Sequence, residues 1–144
     1  MDGKKETKRV CKEDAMAMDM QKNQETMEVG KKLVELCKKG ENMKAIDSLY
    51  SPDIESHEAV SMPGMPDKVR GLDAIRKKNR DWDENMQVNS SQVEGPFPFG
   101  DRFAVHYKYD VTNKRDGKSM KMEEVALYTV RDGKIVKEEF FYTM

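Results

Sequence analysis

The chain has 144 residues, room for one domain with a real core and too little for two ordinary ones. Charged residues make up 37% of it, yet 26 Lys and Arg nearly cancel 27 Asp and Glu, so no field of one sign points to nucleic acid or an anionic membrane. Cys11 and Cys37, one of them in a polar tail, give neither a disulfide framework nor a metal-type spacing; with no apolar run long enough for a signal peptide or membrane span, the sequence reads as a soluble cytoplasmic protein.

Residues 1–22 mix Lys, Glu, Asp and Met without a sustained stripe and predict a disordered or partly helical tail, leaving 23–144 as a single domain. Val29, Leu33, Leu36 and Cys37 then fall at i, i+4, i+7 and i+8, one face of a helix that Gly40 stops. Asn42 is placed to cap a second helix that buries Ala45, Ile46 and Leu49, with Pro52 to end it. Asp53 to Val60 alternates as a short polar strand, on which His57 and Glu58 are either a surface pair or an acid/base pair at a cavity mouth. Two prolines and a glycine in Ser61–Pro66 exclude regular structure and suggest a lid. Leu72, Ile75, Asn79, Trp82 and Met86 trace a third helix, with Asp73 in its first turn where the dipole favours a carboxylate. The strand Val88–Phe97 follows, and its Gly95, with Pro96 and Pro98, suits an edge or a bulged end.

The C-terminal third predicts a three-stranded meander. Phe103, Val105, Tyr107, Tyr109 and Val111 alternate with Ala104, His106, Lys108 and Asp110, a period of two that only a strand satisfies. Asp116-Gly117 and Asp132-Gly133 mark the hairpin turns. With two-residue loops at both, Tyr107 faces Ala126 and Ala126 faces Glu139, while Tyr109 faces Glu124 and Glu124 faces Phe141. The inner face then holds Tyr107, Tyr109, Glu124, Ala126, Tyr128, Lys137 and Glu139, and the outer face His106, Val125, Leu127, Val136 and Phe140. A one-residue slip or bulge exchanges the two sets.

Helices and strands are segregated rather than alternating, so the class is α+β. Ala45-Ile46-Asp47-Ser48-Leu49-Tyr50 with Pro52-Asp53-Ile54, Val69-Arg70-Gly71-Leu72-Asp73-Ala74-Ile75, and Tyr128-Thr129-Val130-Arg131-Asp132-Gly133-Lys134-Ile135-Val136 resemble the SnoaL-like branch of the nuclear-transport-factor-2-like superfamily. The resemblance implies a cystatin-like cone: a curved antiparallel sheet wrapped around three helices to enclose a pocket. It also implies a range of functions, from isomerases, cyclases and dehydratases to binders and transport adaptors. Enzymes of the superfamily commonly carry an acidic residue or a His in the last strand; here it reads Glu138-Glu139-Phe140-Phe141-Tyr142, with no His.

On this register Glu139 and Glu124 are the candidate proton carriers, and Tyr107 supplies a hydroxyl to a developing negative charge. Ala126 leaves room that Tyr109 and Tyr128 rim, Trp82 forms the opposite wall, and His57 stands at the lip. The alternative is that Lys137 pairs with one carboxylate and the group merely closes the core. This chemistry needs no cofactor; two His without clustered Cys make no metal site, and no Gly-rich phosphate loop follows a strand. Three functions remain: an acid/base enzyme on a small apolar substrate, a non-catalytic ligand binder, and an interaction module. The expected partners are a small apolar ligand and a second copy, paired through Val125, Leu127, Val136 and Phe140 as relatives resembling this chain pair, with neither nucleic acid nor membrane.

Overall fold

Three helices and six strands follow one another as α1 (Asp2–Lys38), α2 (Asn42–Leu49), β1 (Tyr50–His57), β2 (Lys68–Arg70), α3 (Leu72–Asn85), β3 (Met86–Phe99), β4 (Arg102–Asn113), β5 (Ser119–Arg131) and β6 (Lys134–Phe141). They are seen in a computed structural model that describes residues 2–143, with side chains from residue 12 onward, so Cys11 lies outside the described side chains. The segment read as a tail belongs to α1. Its Lys, Glu, Met and Ala residues are strong helix formers, so the helix continues upstream of its packed stripe. Residues 12–24 are exposed throughout, and burial begins at Thr26, Val29, Leu33 and Val34.

The second helix buries Ala45, Ile46 and Leu49 as its spacing requires. Asn42 is its first residue rather than its cap, and the chain turns extended at Tyr50, so Pro52 falls inside β1 rather than ending the helix. The third helix runs as predicted, with Asp73 in its first turn and Ile75 buried.

The sheet is open, in the order β2-β1-β6-β5-β4-β3. It is mixed rather than wholly antiparallel, because β1 runs parallel to β6 and is thereby inserted beside the last strand of the chain. Strand β2 was not foreseen: three residues are too few to show alternation, yet they pair back on β1 from Glu55–Arg70 to His57–Lys68. Strand β3 is an edge, as its Gly and Pro suggested, with irregular register around Asn89 and around the cis Gly95–Pro96 bond.

Two details of the meander decide which side chains face the helices. Between β4 and β5 the loop holds four residues, 114–117, closed by Asn113 N–H to the Lys118 carbonyl at 2.8 Å. Tyr107 therefore opposes Glu124, and Val105 opposes Ala126, a shift of two that preserves both faces. Between β5 and β6 the turn holds two residues as predicted, Asp132 and Gly133, with φ of 52° and 74°. Ile135 then pairs with Val130 but Lys137 with Thr129, which leaves Val136 as a bulge. That single extra residue reverses the rest of β6: Glu138 and Phe140 turn inward, and Lys137, Glu139 and Phe141 outward, opposite to the expected register.

The core lies between the helices and the concave face, with Leu33, Ile54, Phe103, Val105, Ala126 and Ile135 essentially inaccessible. Helix α1 crosses β3 and β4 at Gly30, where an added Cβ would stand 2.7 Å from Pro96 Cβ, so only glycine lets the backbone come this close.

Candidate functional site

The parallel pairing of β1 with β6 sets Ser56 beside Glu138 on the concave face, both inaccessible or nearly so at 1% and 4% exposure. The Tyr50 hydroxyl donates to Glu138 Oε2, and the Ser56 side chain also hydrogen-bonds this carboxyl. Burial raises the Glu138 pKa against the opposing pull of Lys78 and of these hydrogen bonds. Lys78 comes down from α3, donates to Ser56 Oγ at 3.0 Å, pairs with Glu58, and holds its ammonium 4.8 Å from the centre of the Phe140 ring. Glu58 in turn accepts a 2.9 Å hydrogen bond from the Tyr142 hydroxyl.

Glu124 sits on the same face, one strand over and opposite Tyr107. Burial, then the neighbouring Glu58, push its pKa up to about 7, with Lys78 opposing and Glu138 adding to the rise. Strand β6 ends beside Val125 while β5 runs on, so Glu124 stands where the sheet opens. A cavity of about 460 Å³ opens round the edge of the sheet there, lined by Glu124 and Tyr142 from the concave side, by His106, Glu123, Val125 and Phe141 from the convex side, and by Ala59 and Thr143. A carboxylate poised near neutrality at the wall of a cavity can exchange protons with a small molecule at physiological pH.

A tyrosine cluster continues inward. The Tyr107 and Tyr128 hydroxyls are 2.7 Å apart, and Cys37 Sγ is 3.8 Å from the Tyr107 hydroxyl. Tyr107 stacks on Tyr109 at 5.7 Å, Tyr128 stacks on Phe103 at 4.9 Å, and Trp82 meets Tyr109 at 6.4 Å. Burial raises all three tyrosine pKa values and pushes the Cys37 thiol up to about 11, so these groups stay protonated.

Of the residues named from sequence, Glu124, Tyr107, Tyr109, Tyr128 and Trp82 are brought together. Glu139 is not: the bulge at Val136 turns it to the convex face, where it pairs with Lys137 at 3.6 Å. His57 shares that face, beside Glu139 and 3.4 Å from Glu55, because the inward parity of β1 belongs to Ile54 and Ser56. Ala126 is flanked by Val105 and Phe140 and lies in the core, so the room expected above it is filled. The Ser61–Pro66 loop is exposed and folded on itself by a Met62–Met65 bridge. Sequence reasoning missed Tyr50, Ser56, Lys78 and Glu138. Lys78 was findable, being three residues past Ile75 and four before Trp82, on their side of the helix. Among the described residues no His, Cys, Asp or Glu cluster is placed to hold a metal ion, and no helix is long and apolar enough to cross a membrane.

An open, curved sheet with helices across its concave face and titratable groups at its mouth is the architecture of cystatin-like, nuclear-transport-factor-2-like proteins, and solved structures so described share it. The chain belongs to the SnoaL-like domain family, whose model matches residues 24–142. A Mesorhizobium loti protein provisionally described as a SnoaL-like polyketide cyclase, with carbohydrate phosphatase in brackets, is 43% identical; the match covers 80% of this chain and 97% of that one, with a TM-score of 0.75. A Xanthomonas campestris protein of unknown function with a cystatin-like fold is 20% identical over 83% of this chain and 91% of its own, TM-score 0.68. A Bacillus subtilis protein provisionally described as an isomerase is 16% identical over 87% and 88%, TM-score 0.67; these last two likenesses are of fold alone. No curated protein matches the sequence.

Proposed function

We propose that this SnoaL-like domain is an acid/base enzyme that moves a proton on a small, largely apolar carbonyl compound, in the manner of an isomerase or cyclase. The observation that carries the reading is Glu124, an inward-facing carboxylate with a pKa of about 7 at the wall of an open cavity. In the proposed reaction Glu124 takes a proton from the carbon next to the carbonyl, the electron pair moves into the enolate, and the same proton or its solvent replacement is returned. Lys78, held by Ser56 and Glu58, offsets the negative charge that develops, and burial together with the neighbouring Glu58 keeps the proton affinity of Glu124 high. None of these steps calls on a cofactor. The description of the 43% identical relative as a polyketide cyclase supports a carbonyl substrate.

The test is exchange of the acidic protons of β-tetralone, a small apolar ketone, followed by NMR in deuterated buffer. The protein should accelerate exchange, Glu124→Gln should lose roughly 100-fold or more of that acceleration, and Glu139→Gln should keep it. If the parent exchanges the ketone no faster than buffer does, or Glu124→Gln exchanges it as fast as the parent, the enzyme reading fails and a ligand-binding role takes its place.

A further inference from the structure

One buried polar atom on the concave side has no partner. Asn79 Nδ2 is shielded from solvent and makes no hydrogen bond within the protein, the sole such side-chain nitrogen or oxygen among the described residues. Its position on α3 fixes where it points. Ile75, four residues earlier, is buried in the core; Lys78, next to it, reaches Ser56 on the sheet; Trp82, three residues later, meets Tyr109. These three bracket Asn79 on the helical wheel, so its side chain lies on the face of α3 turned to the sheet. On the concave side Tyr50 is engaged with Glu138, Tyr107 with Tyr128, and Lys78 with Ser56 and Glu58.

A buried donor without an acceptor is costly, and folded proteins keep few of them. One that persists inside a functional cluster is a donor held ready for something that arrives later. We propose that Asn79 is a substrate-binding residue, whose Nδ2–H donates to an oxygen acceptor on the ligand, a carbonyl oxygen or the oxyanion that replaces it. The inference rests on the proposed function for the site, and it adds the polar contact that orients the substrate. Glu124 is taken up by the proton transfer itself, Glu58 already accepts from Tyr142 and pairs with Lys78, and Glu138 is held by Tyr50. Asn79 is a neutral donor that keeps its character at any pH.

The test has two arms. In the first, Asn79→Leu removes the donor while roughly keeping side-chain volume, and thermal unfolding is followed without any ligand. The midpoint should rise by roughly 2–4 °C, beyond the degree or so that the better helix propensity of leucine supplies. A fall would mean that the amide already has a partner in the free protein, such as an ordered water, and would overturn the inference. In the second arm, binding of β-naphthol, which mimics the enol of β-tetralone, is compared with that of naphthalene, which has the same shape without the oxygen. The parent should prefer β-naphthol by roughly tenfold, and Asn79→Leu should lose that preference while binding naphthalene as before. An undiminished preference, or equal loss of both probes, assigns Asn79 a structural part only. If the midpoint rises but neither probe binds the parent, the donor is unpaired as inferred but the site reading it rests on has failed, and the inference falls with it.

Discussion

Glu124 makes the protein's stability depend on pH in a direction opposite to that of most carboxylates. Its folded pKa of about 7 lies above the 4.5 of an unperturbed glutamate, so between those values the folded state holds a proton that the unfolded state has released. The stabilisation is therefore complete below about pH 4.5 and is lost as pH rises through 7. Urea unfolding should show stability falling from about pH 5 to about pH 7, and Glu124→Gln should flatten the decline by about 1–3 kcal/mol. A parent whose stability rises across that window would mean that Glu124 is solvated. Glu138 is raised as well and adds to the same slope, but it depends on its donors. Tyr50→Phe leaves that carboxyl without the Tyr50 hydroxyl, and should cost about 1–3 kcal/mol in the same assay.

At the scale of elements, the helices, the meander and the edge strand broken by Gly95, Pro96 and Pro98 were legible because each has a periodicity or a turn signal of its own. The faces of the last strand were not. A bulge adds one residue, and the sequence around it reads Glu138-Glu139-Phe140-Phe141, so a one-residue slip exchanges glutamate for glutamate and phenylalanine for phenylalanine. A period-two pattern cannot register a shift between identical neighbours. The four-residue loop at 114–117 was misjudged too, harmlessly, since a shift of two returns every side chain to its face. The partners of Glu138 were hidden for another reason: Tyr50 and Ser56 reach it through parallel pairing between strands almost the whole domain apart, and no local signal announces that contact. The bulge itself can be tested. Deleting Val136 forces β6 to choose between its turn and its inward set, so the variant should lose the cooperative unfolding transition seen by circular dichroism. A well-folded variant with an unchanged transition would show that the bulge does not fix the faces.

For the molecule as a whole, the packed part begins near Thr26, and residues 12–24 of α1 before it are exposed. Removing residues 1–20 should leave the unfolding midpoint within a few degrees, because little apolar area is lost; a drop beyond that would reveal a contact upstream. On the convex face Val125 and Phe141 are 41% and 53% exposed beside Leu127, with Phe141 in the place expected for Phe140. This patch supports the proposal that two copies pair there. Leu127→Arg should then give a monomer by light scattering, and an unchanged mass would move the pairing elsewhere.

The parallel contact between β1 and β6 also governs the order in which the molecule can be assembled. During synthesis the helices and β1 emerge early but have no strand to join on one side, because the strand that fills the gap between β1 and β5 is the last of the six to be made. Until then Ser56 has no Glu138 beside it, and the two halves of the sheet are held only through the helices. Closing that gap spans the longest sequence separation of any strand pair in the sheet, so it carries the largest loop-closure entropy. The strand that closes it also delivers Glu138 and Phe140. A nascent chain therefore cannot acquire the site before it acquires the fold, and a chain without β6 has neither.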